Sequence, residues 1–171
     1  VARRALAFEM TVIANDIAPD MHFAAAHGIE YVSLDDLLRS ADVVSLHVPL
    51  TPLTQHMINA QRLRMMRRHA VLINTARGAV LDVPALAQAL DDGIIAGAGL
   101  DVHTVEGQVE DCLTHRDSLV TTTHLGAYTH DSLRKTTRAA VRSLLQVLHH
   151  QQPDDRVNPE ASAARMRESG Q

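Results

Sequence analysis

The chain has 171 residues, 46% of them hydrophobic and 21% charged, with a net charge of −4; that length suits one domain with a real core, or a domain plus a tail. The acidic balance offers no basic surface to nucleic acid or anionic lipid, and no apolar run approaches the roughly 18 residues of a membrane span. Cys112 is the only cysteine, so no disulfide framework or thiolate metal cluster is expected, and a reducing cytoplasm fits best.

Short apolar runs alternate with helical patterns. VARRALAFE reads as a helix that lacks a preceding cap or turn residue. TVIAN (11–15) is a β-branched strand ending at Asp16. A helix follows from about Pro19 to His27, then a weak strand at Ile29–Val32. Ser33, with Asp36 three residues on, resembles a capping box for DDLLRSA. DVVSLHV (42–48) is a buried-looking strand, followed by a Pro/Thr loop and the short helix INAQRLRMM. HAVLINTA (69–76) is the clearest strand. Asp82 caps VPALAQALDDG, with Pro84 in the first turn and Gly93 as terminator. IAGAGLDV (95–102) and SLVTTTH (118–124) are further strands. From about 129 to 150 runs the longest helix, with an apolar face of Leu133, Val141, Leu144, Leu145 and Leu148. The polar, Pro-containing segment 151–171 reads as disordered.

Strands of this length separated by helices predict an α/β fold, a Rossmann-type parallel sheet with helices on both faces. Right-handed crossovers put every strand's C-terminal end on one edge, beyond which ligands of such sheets bind. Asp16 at that edge would take the ribose hydroxyls of a dinucleotide, or else cap the next helix. Arg77 offers a planar fork to a carboxylate, or a surface ion pair with Asp82. Glu106 is a loop carboxylate, ordinarily just solvated. His124 is an acid/base candidate by virtue of a pKa near neutrality. A cation, a base and a carboxylate partner for the base suit oxidation of a 2-hydroxy acid.

LHVPLTPLTQHMI, LINTARGAVLDVPALAQAL, GAGLDVHTVEG, THLGAYT and VNPE together resemble the D-isomer-specific 2-hydroxyacid dehydrogenases, from Val1 to about Glu160. The resemblance implies NAD as cofactor and a small 2-hydroxy or 2-oxo acid as substrate. It casts Arg77 as the binder of the substrate carboxylate, His124 as the acid/base and Glu106 as its partner. It assigns the cofactor to Asp16, Val48, Pro49, Thr54, Thr75, Ala76, Arg77, Asp101, His124, Leu125, Gly126 and Ala127. It implies a homodimer, and the histidines lack the spacing of a metal site. Two departures stand out. Gly107 replaces a usual Pro, and Glu9 stands where Gly is common.

Against that family, the chain resembles an incomplete piece. Residues 1–128 match part of the NAD-binding domain, without the first strand and its glycine-rich turn. The helix 129–150 would lead back toward a substrate domain that is absent. The missing strand is central in the order 3-2-1-4-5-6, which predicts a gap flanked by unpaired edges, low stability, weak NAD binding and little turnover. An enzyme is one functional expectation. A non-catalytic NAD-sensing or co-regulator protein on the same fold is another, and a functionless relic a third.

Overall fold

In the computed structural model, which describes residues 1–156, the apolar runs become six short strands and six α-helices. In chain order these are α1 (Ala2–Ala7), β1 (Ile13–Ala14), α2 (Met21–His27), β2 (Glu30–Tyr31), α3 (Leu34–Ser40) and β3 (Val43–Leu46). There follow α4 (Ala60–Leu63), β4 (Val71–Asn74), α5 (Val83–Asp91), β5 (Gly97–Leu100), β6 (Leu119–Thr121) and α6 (His130–Leu148). The strands form two parallel sheets, β1-β2 and β3-β4-β5-β6. Among the described residues β1 and β3 thus each pair on one side only, in keeping with the expected gap. TVIAN contributes only Ile13 and Ala14 to its strand because only those two residues pair with β2, as Ile13↔Glu30 and Ala14↔Tyr31.

Local chemistry sets the helix ends. The Ser33 hydroxyl accepts the Asp36 N–H at 3.1 Å and donates to the Asp36 carboxylate at 2.6 Å, so the shorter Asp closes the box on the hydroxyl. Asp82 accepts the Ala85 N–H at 3.2 Å, one turn into α5. At the end of α1, the Glu9 N–H bonds the Leu6 carbonyl and the Met10 N–H the Ala5 carbonyl. This is a Schellman closure, and it holds Glu9 at φ 61°, a conformation that favours glycine.

The core lies around the four-stranded sheet, with Leu38, Ile58, Leu63, Leu72, Leu81 and Leu86 sealed from solvent. Each such side chain contributes roughly 1.5–3 kcal/mol of burial free energy. The chain divides into two compact units, Val1–Gly126 and one beginning at Ala127. In the second unit Thr129 caps α6 by accepting the Ser132 N–H. Leu133, Val141, Leu144, Leu145 and Leu148 on its apolar face are exposed, and Gln146 holds Asp154 by two hydrogen bonds. Residues 157–171, including VNPE and most of the expected disordered tail, lie outside the described residues.

Candidate active site

Parallel pairing aligns Leu46, Asn74, Leu100 and Thr121 across the sheet. All four strands therefore end at one edge, and the segments carrying Arg77, Glu106 and His124 leave from it. Immediately past β4 the buried Asn74 shapes the Arg77 turn. Its amide donates to the Arg77 carbonyl at 3.0 Å, while its oxygen accepts the Ala76 N–H at 3.0 Å. Arg77 is exposed; one guanidinium N–H returns to the Ala76 carbonyl at 2.6 Å, leaving the rest of the fork for an incoming oxyanion. Gly78 then passes so close to the next loop that a Cβ would overlap the backbone of His103 and Thr104.

Past β5 and β6 the two remaining candidates meet directly. His124 Nδ1 lies 2.7 Å from Glu106 Oε2, with both side chains partly exposed to solvent. His124 sits at φ 61°, which a β-carbon-bearing residue holds only when its surroundings enforce it. Asp101 supplies that enforcement. It accepts the Leu125 N–H at 2.7 Å on one oxygen and the Gly126 N–H at 2.9 Å on the other, and the Thr122 hydroxyl also donates to it. The Thr122 hydroxyl first, then the two amides and the nearby His124, hold its carboxyl below the ordinary aspartate range against a modest burial penalty. Asp101 thus shapes the turn after His124, and the Leu125 and Gly126 amides are already engaged.

A second His–Glu pair joins the same two segments. His103 Nδ1 is 2.9 Å from Glu110 Oε2, its Nε2 is 3.0 Å from the Thr122 carbonyl, and the Thr104 N–H donates to the other Glu110 oxygen at 2.7 Å. Burial pushes the Glu110 carboxyl up, but the Thr104 and His103 bonds outweigh it and hold it below the usual glutamate range. Sequence reasoning missed this pair, since a lone His after an apolar strand reads as surface by default. It also missed Asn74 as the buried brace of the Arg77 turn.

The ends of β3 and β4 enclose a cleft of about 520 Å³ lined by His47, Val48, Pro49, Leu50, Thr75, Ala76 and Arg77. It gathers five of the sequence-derived cofactor candidates: Val48, Pro49, Thr75, Ala76 and Arg77. Thr54 instead braces the loop behind, donating to the Pro49 carbonyl at 2.6 Å and accepting the Thr51 N–H at 2.8 Å. Asp16 follows β1 in the other sheet, exposed, with one oxygen accepting the Ala18 N–H at 2.9 Å. The following helix is capped by Asp20 rather than by Asp16. Ala127 opens the second unit and its carbonyl accepts the Thr129 N–H.

Residues 1–126 match the family model described as "D-isomer specific 2-hydroxyacid dehydrogenase, NAD binding domain". A glyoxylate reductase of Korarchaeum cryptofilum is 40% identical over 166 residues, which is 96% of this chain and 50% of that protein. Among solved structures, the TT0316 protein of Thermus thermophilus superposes with a TM-score of 0.85 at 41% identity, over 92% of this chain and 49% of that one. The NAD-complexed D-isomer specific 2-hydroxyacid dehydrogenase of Lactobacillus delbrueckii ssp. bulgaricus gives 0.84 at 35% identity, over 92% and 52%. The chain spans about half the length of these relatives. With its NAD-binding-domain sequence matched from residue 1 to 126 and its parallel sheet superposing on such structures, the chain belongs to the D-isomer specific 2-hydroxyacid dehydrogenase family.

Proposed function

We propose that this chain carries the catalytic half-site of an NAD-dependent oxidoreductase acting on the CH–OH group of a small D-2-hydroxy acid. The observation that carries the reading is the 2.7 Å contact between His124 and Glu106, at the edge of the sheet from which the Arg77 turn also leaves. In this reading residues 1–128 serve NAD binding and catalysis, and the helix 129–150 leads toward a substrate domain. The cleft at the β3 and β4 ends, floored by Val48, Pro49 and Thr75, has the mixed apolar and polar lining that a dinucleotide requires. The exposed Asp16 carboxylate keeps one oxygen for ribose hydroxyls, and Leu125, Gly126 and Ala127 border the nicotinamide side. NAD, when bound, supplies the hydride acceptor.

The residues divide the remaining work. Arg77 directs its guanidinium at the substrate carboxylate, which fixes the 2-carbon. With Nδ1 turned to Glu106, His124 presents Nε2 to the substrate hydroxyl and takes its proton as the C–H bond is broken. In the reverse direction it returns that proton to the 2-oxo oxygen. The Glu106 carboxylate favours the imidazolium so formed and fixes the ring orientation. The glyoxylate reductase names of the relatives make glyoxylate the first 2-oxo acid to try. We place the protein in the cytoplasm as a homodimer.

The test is His124→Ala in the full-length polypeptide that carries these residues. Turnover of NADH with glyoxylate should fall by about 10²–10⁴-fold while NAD binding persists. Undiminished turnover contradicts the proposal. An unchanged biological effect of the inactive variant would favour a non-catalytic NAD-sensing role.

A further inference from the structure

The His103 side chain is 1% exposed and bonds the segments that carry Glu106 and His124. Its Nδ1 meets Glu110 at 2.9 Å, closing the loop on whose crest Glu106 sits. Its Nε2 meets the carbonyl of Thr122 at 3.0 Å, two residues before His124. Its backbone packs against Gly78, next to Arg77, with no room for a Cβ between them. We propose that His103 is a positioning residue, which with Glu110 clamps the Glu106 and His124 segments into register. The inference rests on the catalytic roles proposed above and adds a residue to which those roles assign nothing.

The proton inventory requires two polar partners. The Thr122 carbonyl can only accept, so Nε2 must carry a proton. Nδ1 faces the Glu110 carboxylate, so both ring nitrogens have a polar partner. Burying such a histidine–carboxylate pair costs desolvation that an apolar side chain of similar volume would avoid. Core filling alone is therefore a poor reason for it, whereas fixed geometry is a good one. The loop needs such a fixture. Glu106 is 62% exposed, and its neighbour Gly107 stands at φ 76° with open space around it. Within the loop the Gln108 N–H to Val105 carbonyl bond makes a turn, while the bonds from His103 and Thr104 to Glu110 fasten its two ends. Glu110→Gln is the informative conservative change. A glutamine can accept the Thr104 N–H and donate to a neutral Nδ1, keeping all three bonds, whereas Glu110→Ala removes the clamp.

The experiment uses isotope-labelled 171-residue chain and NMR, reading the Overhauser contact between the Glu106 side chain and the His124 ring. The contact should be present in the parent and in Glu110→Gln. It should fall to less than half its intensity in His103→Phe and in Glu110→Ala, while the β4–β5 contacts persist in all of them. Should His103→Phe fail to fold, the more exposed Glu110→Ala decides. An unchanged contact in Glu110→Ala, or its absence from the parent, overturns the proposal. In the full-length polypeptide the same two variants should lose roughly 10²-fold in kcat, the scale of an ångström of misplacement, with the KM for NAD changed less than about two-fold. Lack of turnover in the parent would refute the dehydrogenase reading and leave the NMR comparison to judge the clamp on its own.

Discussion

Replacing Asp101 with asparagine changes one atom at the turn that holds His124. The native carboxylate accepts the Leu125 and Gly126 amides on separate oxygens, and the Thr122 hydroxyl as well. An asparagine oxygen can keep the Leu125 and Thr122 bonds in neutral form, but its NH2 group then faces the Gly126 N–H, donor against donor. Hydrogen bonds to a charged acceptor contribute about 1.5–3 kcal/mol each. One is lost and two are weakened, and solvent screening at this partly exposed site brings the sum to about 1–2 kcal/mol. For a chain of this length that is a fall in Tm of roughly 2–8 °C, readable by circular dichroism. The pH dependence carries the sign. Because the folded carboxyl lies below its ordinary value of 3.8, its contribution is complete above that pH. It is lost as pH falls through the folded value, so the gap between the two proteins closes in acid. Amide exchange at Leu125 and Gly126 should quicken in the variant. Equal Tm at neutral pH, or unchanged exchange at those two amides, would refute the reasoning.

Other perturbations follow from single residues. Glu9→Gly removes a left-handed strain of about 1–2 kcal/mol against a glycine entropy cost of about 0.5–1 kcal/mol, so denaturant titration should show a gain of roughly 0.5–1 kcal/mol; a loss contradicts the Schellman assignment. Gly78→Ala should cost about 1–3 kcal/mol by overpacking against the His103 backbone, and the same titration would expose a neutral result. Partial burial holds the His47 imidazole below its ordinary value of 6.5. The unfolded chain therefore binds that proton first as pH falls, and stability declines from about 6.5 toward the lower folded value. His47→Gln should flatten that part of a stability–pH curve, and an unchanged slope would count against it.

The periodic features were legible. The α/β alternation, the Asp82 and Ser33 caps and the long helix with its apolar face all follow from side-chain spacing, because burial and capping act locally. The unpaired side of β3 was legible only through family resemblance, since pairing between distant strands leaves no local mark. Glu9 was visible as a departure from glycine, and the φ of 61° explains why glycine suits that position. Gly107 likewise occupies φ 76°, a conformation closed to the proline that the family resemblance led one to expect there. What stayed hidden were polar contacts across segments. The Asp101 oxygens brace the His124 turn and the Thr54 hydroxyl ties the loop from 49 to 54, contacts that side-chain spacing does not announce. His103 and Glu110 meet within one loop and reach the Thr122 carbonyl only once β5 and β6 lie side by side, and neither residue type at that spacing announces a buried pair.

The acid/base pairing is tested most directly by a double-variant cycle at Glu106 and His124, measured as kcat for NADH-dependent reduction of glyoxylate by the full-length polypeptide. If Glu106 acts through His124, Glu106→Gln should slow the reaction on its own, but should cost nothing further once His124 is glutamine. Losses that multiply independently, or a Glu106→Gln variant as fast as the parent, would contradict the pairing on which the proposed chemistry stands.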